Sequence, residues 1–132
     1  MRTRRFGLRR KARRESSVDE QQPRLGIAVS AHGERTRIVL AGELDLATTP
    51  LFSRAIVAVE QQGPELIEID IRGLTFMDSS GLGRLFAANR RAREVGRRLV
   101  LLKADGPIDR VLELARVEDV IDTVEEPLRR GG

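Results

Sequence analysis

The sequence predicts a single α/β domain: a mixed, mostly parallel β-sheet with helices packed on it. Three observations carry that prediction. Short β-rich runs alternate with segments of helical periodicity. The first two runs, "GIAVSA" and "TRIVLAG", are separated by "HGER", a Gly-containing turn, so they form a hairpin and make the sheet mixed. After the hairpin, strands and helices alternate, an arrangement that calls for crossovers and parallel pairing. The element order is β-β-α-β-α-β-α-β.

Each element has its own signature. In "ATTPLFSRAIVAVEQQG", Thr49 offers a cap, Pro50 fits the first helical position and Gly63 marks the stop. Phe52, Ala55, Ile56 and Val59 share one face of that helix. "ELIEIDIRG" alternates: Ile67, Ile69 and Ile71 point inward, with Glu68, Asp70 and Arg72 on the other face. "SSGLGRLFAANRRAREVG" is a second helix with Leu82, Leu85, Phe86, Asn89 and Ala92 on its inner side. Arg84, Arg91 and Glu94 belong to its outer side, with Arg90 on the flank. Arg93 falls inward by strict spacing, its stem packing and its head reaching water. "RRLVLLKA" is a buried strand, "GPIDRVLELARVEDV" a third helix opened by Pro107, and "VIDTVEE" a last short strand.

Length and composition narrow the function. At 132 residues the chain is expected to form one domain with one packed core. Residues 1–24 read as a basic, disordered arm, 25–126 as the domain and 127–132 as a short tail. The first 14 residues hold eight Arg and Lys and no acid, against +4 for the whole chain, so −4 remains for the rest. The high pI thus belongs to the arm, where a contact with nucleic acid or anionic lipid is the sharper alternative to a solvated tail. With no Trp or Tyr and four Phe, base stacking has few platforms, and no direct DNA contact is expected of the domain. There is no cysteine for a disulfide or thiolate metal site. The one histidine, His32, falls in a turn. No apolar run reaches membrane-spanning length, and "TRRFGLRRK" lacks the apolar stretch of an export signal, so a cytoplasmic location is expected.

One stretch stands out: "TFMDSSGLGRL", Thr75 to Leu85. Asp78, Ser79, Ser80 and Gly81 fall where a strand ends and a helix begins, the place where open α/β sheets gather functional groups. Ser79 or Ser80 is expected to cap the helix. A phosphate on either serine would meet the helix N-terminus and add about −1.5 to −2 charge at a surface turn. Gly81 and Gly83 weaken a helix, so their presence suggests close approach by another backbone. Nothing provides a base for a catalytic serine: there is no G-x-S-x-G elbow, no Walker A run and no G-x-G-x-x-G. Asp45, Asp70 and Asp78 could share a Mg²⁺, but acids on a solvated face are the commoner explanation.

"LAGELDLATTP", followed some thirty residues later by "LTFMDSSGLGRL", resembles the STAS-domain anti-sigma factor antagonists. The resemblance covers roughly Leu25 to Glu126 and implies a STAS-like fold of the same element order. It implies a non-enzymatic phosphoprotein of stress-response and transcription control that works by partner switching without a cofactor. The unphosphorylated form would bind an anti-sigma factor carrying a histidine-kinase-like serine kinase domain and so free a sigma factor. Phosphorylation of Ser79 would release it, and a metal-dependent serine phosphatase would reset it. The partner-binding residues so implied are Asp45, Asp78, Ser79, Ser80, Gly81 and Leu82, with Ser80 as the neighbouring cap. The alternative is a STAS adaptor in a larger signalling or transport assembly without a phosphate cycle. The basic arm and the shortened C-terminal end "EPLRRGG" depart from the family pattern.

Overall fold

The structure, a computed structural model, describes residues 2–6 and 24–127. Its elements are β1 (Arg2–Phe6), β2 (Leu25–His32), β3 (Arg35–Leu44), α1 (Thr49–Gln61), β4 (Leu66–Met77), α2 (Ser79–Glu94), β5 (Arg98–Lys103), α3 (Asp109–Leu114) and β6 (Asp122–Glu125). The six strands form one sheet in sequential order. β1–β2 and β2–β3 pair antiparallel, and β3–β4, β4–β5 and β5–β6 pair parallel. The mixed, mostly parallel sheet expected from the sequence is therefore present.

The core forms where the periodic faces meet. Phe52, Ala55, Ile56 and Val59 of α1 are all buried, as are Ile67, Ile69 and Ile71 of β4. α2 buries Leu85, Ala88, Asn89 and Ala92, while Leu82 and Phe86 are only partly covered. Asn89 is satisfied there by donating to the Val120 carbonyl at 3.3 Å. Arg93 is exposed rather than inward, because the helix ends one residue later and frees its side chain to solvent.

Three expectations need correction. The arm expected at 1–24 includes a strand: Arg2–Phe6 pair with β2 from Arg2↔Ala31 to Phe6↔Ile27. Backbone pairing along an open sheet edge does not depend on side-chain polarity, which is why composition missed it. Arg24 likewise belongs to the domain, since its carbonyl accepts from the Glu43 N–H at 2.9 Å. Residues 7–23, including most of the basic block, lie outside the described residues, as does the tail from 128 to 132. The third helix is short: α3 stops at Leu114, Arg116 turns left-handed (φ 55°), and a 3-10 turn follows at Val117–Asp119. That break buries both Val117 and Ile121. At α1 the cap position is Thr48, not Thr49.

Two irregularities set the position of the site. Between Val39 and Ala41, and again between Gly42 and Glu43, β4 takes extra residues against β3. Such bulges bend a strand and re-aim its side chains. Gly42 makes this possible: its φ is +107°, and a Cβ there would lie 2.1 Å from the Arg24 carbonyl oxygen. β4 thereby runs on to Met77, with Phe76 half-exposed and Met77 buried.

Candidate functional site

The site is built from two turns at the carboxyl ends of β3 and β4. Parallel pairing continues to Leu44↔Met77. The Asp78 N–H then donates to the Leu44 carbonyl at 3.3 Å, tying the turns together. Gly81 lies directly on this joint, since a Cβ there would come within 2.5 Å of the Leu44 carbonyl oxygen and 2.8 Å of its Cγ. The close backbone approach inferred from the glycines is thus real at Gly81. It does not hold at Gly83, where a Cβ would meet nothing within 4 Å.

The helix cap is Asp78, not a serine. Its backbone is extended (φ −107°, ψ −174°), and its side chain accepts from the Gly81 N–H at 3.0 Å. The second carboxylate oxygen accepts from the Leu46 N–H at 3.2 Å. One carboxylate therefore closes α2 and fastens the neighbouring turn, a task a single hydroxyl would do less well. Ser79 becomes the first residue of the helix, exposed, with Ser80 beside it partly covered. The Ser79 hydroxyl is left out of the capping and faces water one residue from the carboxylate.

Asp45 organises the other turn. It accepts from the Thr48 N–H at 3.1 Å and the Thr48 hydroxyl at 3.2 Å, and the Arg24 guanidinium donates to it at 2.7 Å. Burial works to raise the Asp45 carboxyl, but the Thr48 N–H, Arg24 and the Thr48 hydroxyl outweigh it and hold the group below its ordinary value. Arg24 also reaches Glu43 at 2.8 Å.

The predicted site residues separate cleanly. Asp45, Asp78, Ser79, Ser80, Gly81 and Leu82 come together around the two turns. Asp70 does not: it is buried within β4, bound to Arg72 through contacts of 2.9 and 2.7 Å. That hydrogen bonding raises the Arg72 pKa. The three acids thus do not form one Mg²⁺ site, and no group of three or more His, Cys, Asp or Glu able to hold a metal is found among the described residues. His32 lies at the opposite end of the sheet, as the last residue of β2 paired with Arg35 rather than in the turn expected from the sequence.

Sequence reasoning missed Leu46 and Phe76, which stand 73% and 48% exposed beside these turns. An apolar residue directly after the "GELD" stretch, and Phe immediately before "MDSSG", were the available signals. Arg24 was missed because it was assigned to the arm.

Comparison with known proteins agrees with the geometry. The family model described as "Mlab, STAS domain" matches residues 27–125. The anti-sigma-B factor antagonist of Staphylococcus epidermidis is 24% identical over 101 residues, covering 76% of this chain and 94% of its own. Among solved structures, an anti-sigma factor antagonist from Mycobacterium paratuberculosis superposes with a TM-score of 0.68 at 24% identity, covering 75% of this chain and 84% of its own. The anti-sigma factor antagonist SpoIIAA in its unphosphorylated form gives a TM-score of 0.63 at 24% identity, covering 76% and 88%.

Proposed function

We propose that this chain, which belongs to the STAS domain family, acts as an anti-sigma factor antagonist switched by phosphorylation of Ser79. In this reading the unphosphorylated protein occupies an anti-sigma factor that is also a histidine-kinase-like serine kinase, and a sigma factor is freed. The kinase transfers the γ-phosphoryl of ATP to the Ser79 oxygen, ADP leaves, and the complex separates. A metal-dependent phosphatase hydrolyses the phosphoserine and restores the binding form. The chain is the substrate of this cycle, not a catalyst, and works in the cytoplasm with its partners. No helix of the described residues is long and apolar enough to cross a membrane.

The single observation that carries the reading is the exposed Ser79 on a turn capped by Asp78. Because the cap bond is made by the neighbouring carboxylate, Ser79 can be modified without unmaking the helix start. The added dianion would lie at the helix N-terminus, which tolerates it in the isolated domain. In a docked complex the same charge would be desolvated without a partner, at about 2–5 kcal/mol. That corresponds to a loss of roughly thirtyfold to several-thousand-fold in affinity. The switch then needs no rearrangement of the fold, only a change of charge at the contact.

A second reading is a STAS adaptor without a phosphate cycle, since membership of the STAS domain family does not by itself require one. Incubation with a candidate kinase and Mg-ATP, followed by mass-spectrometric mapping, decides between them. Phosphate on Ser79 that disappears in Ser79→Ala and persists in Ser80→Ala supports the switch. An unmodified peptide, with kinases active on other antagonists, supports the adaptor.

A further inference from the structure

We propose that the protein docking at Ser79 seats an apolar side chain against Leu46 and Phe76, lays main chain on Gly83 and sets a carboxylate opposite Arg84. This rests on the reading of Ser79 as the exchange point and adds the chemistry of the partner's footprint.

Leu46 and Phe76 lie on adjoining segments. Phe76 pairs with Glu43 across β3 and β4, and the Leu46 N–H is bound to Asp78. Leu46 is not exposed for want of local structure. Its carbonyl accepts from the Thr49 hydroxyl at 3.2 Å, and the Asp45–Thr48 bonds close the turn around it. A tightly bonded turn therefore holds a leucine out in water. Covering these two exposed apolar side chains releases hydration, and at Leu46 the bonded turn keeps the ordering cost low.

Gly83 points the same way. It is four residues beyond Ser79, so both occupy one face of α2. It is exposed, a Cβ would meet nothing within 4 Å, and its φ is not positive. Nothing within the described chain requires glycine there, and alanine is the better helix former. Close approach of a second backbone supplies the missing reason, as Leu44 supplies it for Gly81.

Charge completes the footprint. The Asp45 and Glu43 carboxylates are engaged by Arg24, and Asp78 is engaged by backbone N–H groups. Arg84, exposed next to Gly83, has no ion-pair partner among the described residues. The complementary group on the partner is an acid.

The test uses the full chain and each purified histidine-kinase-like serine kinase of the source organism, loaded with Mg-ADP. Affinities are measured by calorimetry for the parent, Leu46→Asp, Phe76→Ser, Gly83→Ala and Arg84→Glu. Leu114→Ser and Val95→Ser, at remote positions 70% and 66% exposed, are the controls. Leu46→Asp and Phe76→Ser are expected to lose roughly tenfold or more in affinity, with the controls unchanged and all melting curves intact. Gly83→Ala is expected to melt higher than the parent yet bind more weakly, a pairing that a merely structural glycine would not produce. Losses no larger than the controls, in a chain still phosphorylated at Ser79, overturn the footprint and leave the exchange reading standing. A parent that neither binds nor is phosphorylated overturns both. Self-association abolished by Leu46→Asp, with kinase binding unaffected, assigns the surface to a second copy and overturns the proposal.

Discussion

The two ends of the parallel strands make opposite use of similar materials. At the amino ends, the turns around Glu34, Glu65 and Arg97 surround an open cavity of about 770 Å³. Arg97 donates to the Pro64 carbonyl at 2.7 Å, and Gly63 and Gly96 turn the chain at positive φ. The Glu34 carboxyl beside Glu65 pushes the Glu65 carboxyl up. These side chains close loops, and nothing among them converges on a ligand. At the carboxyl ends of β3 and β4 the two turns are instead bonded to each other. Asp45 and Asp78 fix both turns, and what they leave outward is a serine, a leucine and a phenylalanine. The lesson is that concavity alone does not mark a site. In the function proposed here the mark is instead a turn whose acids are bonded internally beside an exposed serine.

The contrast can be broken most forcefully at Gly81. Gly81→Ala must force a Cβ against the Leu44 carbonyl, and overpacking of this kind costs about 1–3 kcal/mol. Urea unfolding should show that loss. An unchanged midpoint would mean that the two turns are not locked together. Asp78→Ala should follow at about 1–2 kcal/mol, since it removes the cap and leaves the Leu46 N–H without its acceptor. Amide hydrogen exchange should quicken at Gly81 and Leu46 in that variant, and unaltered exchange would contradict the capping assignment.

Titration sharpens the comparison further. Asp45 is held below its ordinary value in the folded state. Its contribution is therefore present above the unfolded value of about 3.9 and is lost as pH falls through the lower folded value. Asp45→Asn should flatten the acid-side fall in stability, read by thermal melts from pH 6 to pH 3; a parallel fall in both proteins would remove Asp45 from the lock. Glu65 has the opposite sign, because its folded value is raised. Its contribution increases as pH falls through that raised value, so Glu65→Gln should lessen the dependence near there. This effect is the smallest, since both carboxyls are exposed to water, and carboxyl-detected NMR titration of the parent is its measure. A Glu65 carboxyl titrating at its ordinary value would break the assigned pairing.

Much of this architecture was legible in the residues. α1 announced itself through Phe52, Ala55, Ile56 and Val59, and β4 through alternating isoleucines, because burial periodicity is a local property. "MDSSG" between strand and helix marked the candidate site for the same reason. Elements set by distant partners were not legible. β1 is held by backbone pairing with β2, which leaves no signature in a basic segment. Asp78 took the cap from the serines because its second oxygen could also reach Leu46, 32 residues away in sequence. Alternation put Asp70 and Arg72 on one face, but their buried setting depends on the chain end 54 and 55 residues on, where Arg72 donates to the Glu126 and Pro127 carbonyls. Leu46 showed no reason to be exposed until its turn was seen bonded shut.

The central claim is that one phosphoryl group at Ser79 decides docking while the fold stays as it is. The most direct measurement compares the kinase affinity of the unmodified chain with that of a chain carrying phosphoserine at position 79, with heteronuclear NMR spectra of both. The account predicts an affinity loss of roughly thirtyfold or more, with shift changes confined to residues around the 44–48 and 77–83 turns. Equal affinities, or shifts spread through the sheet, would contradict it.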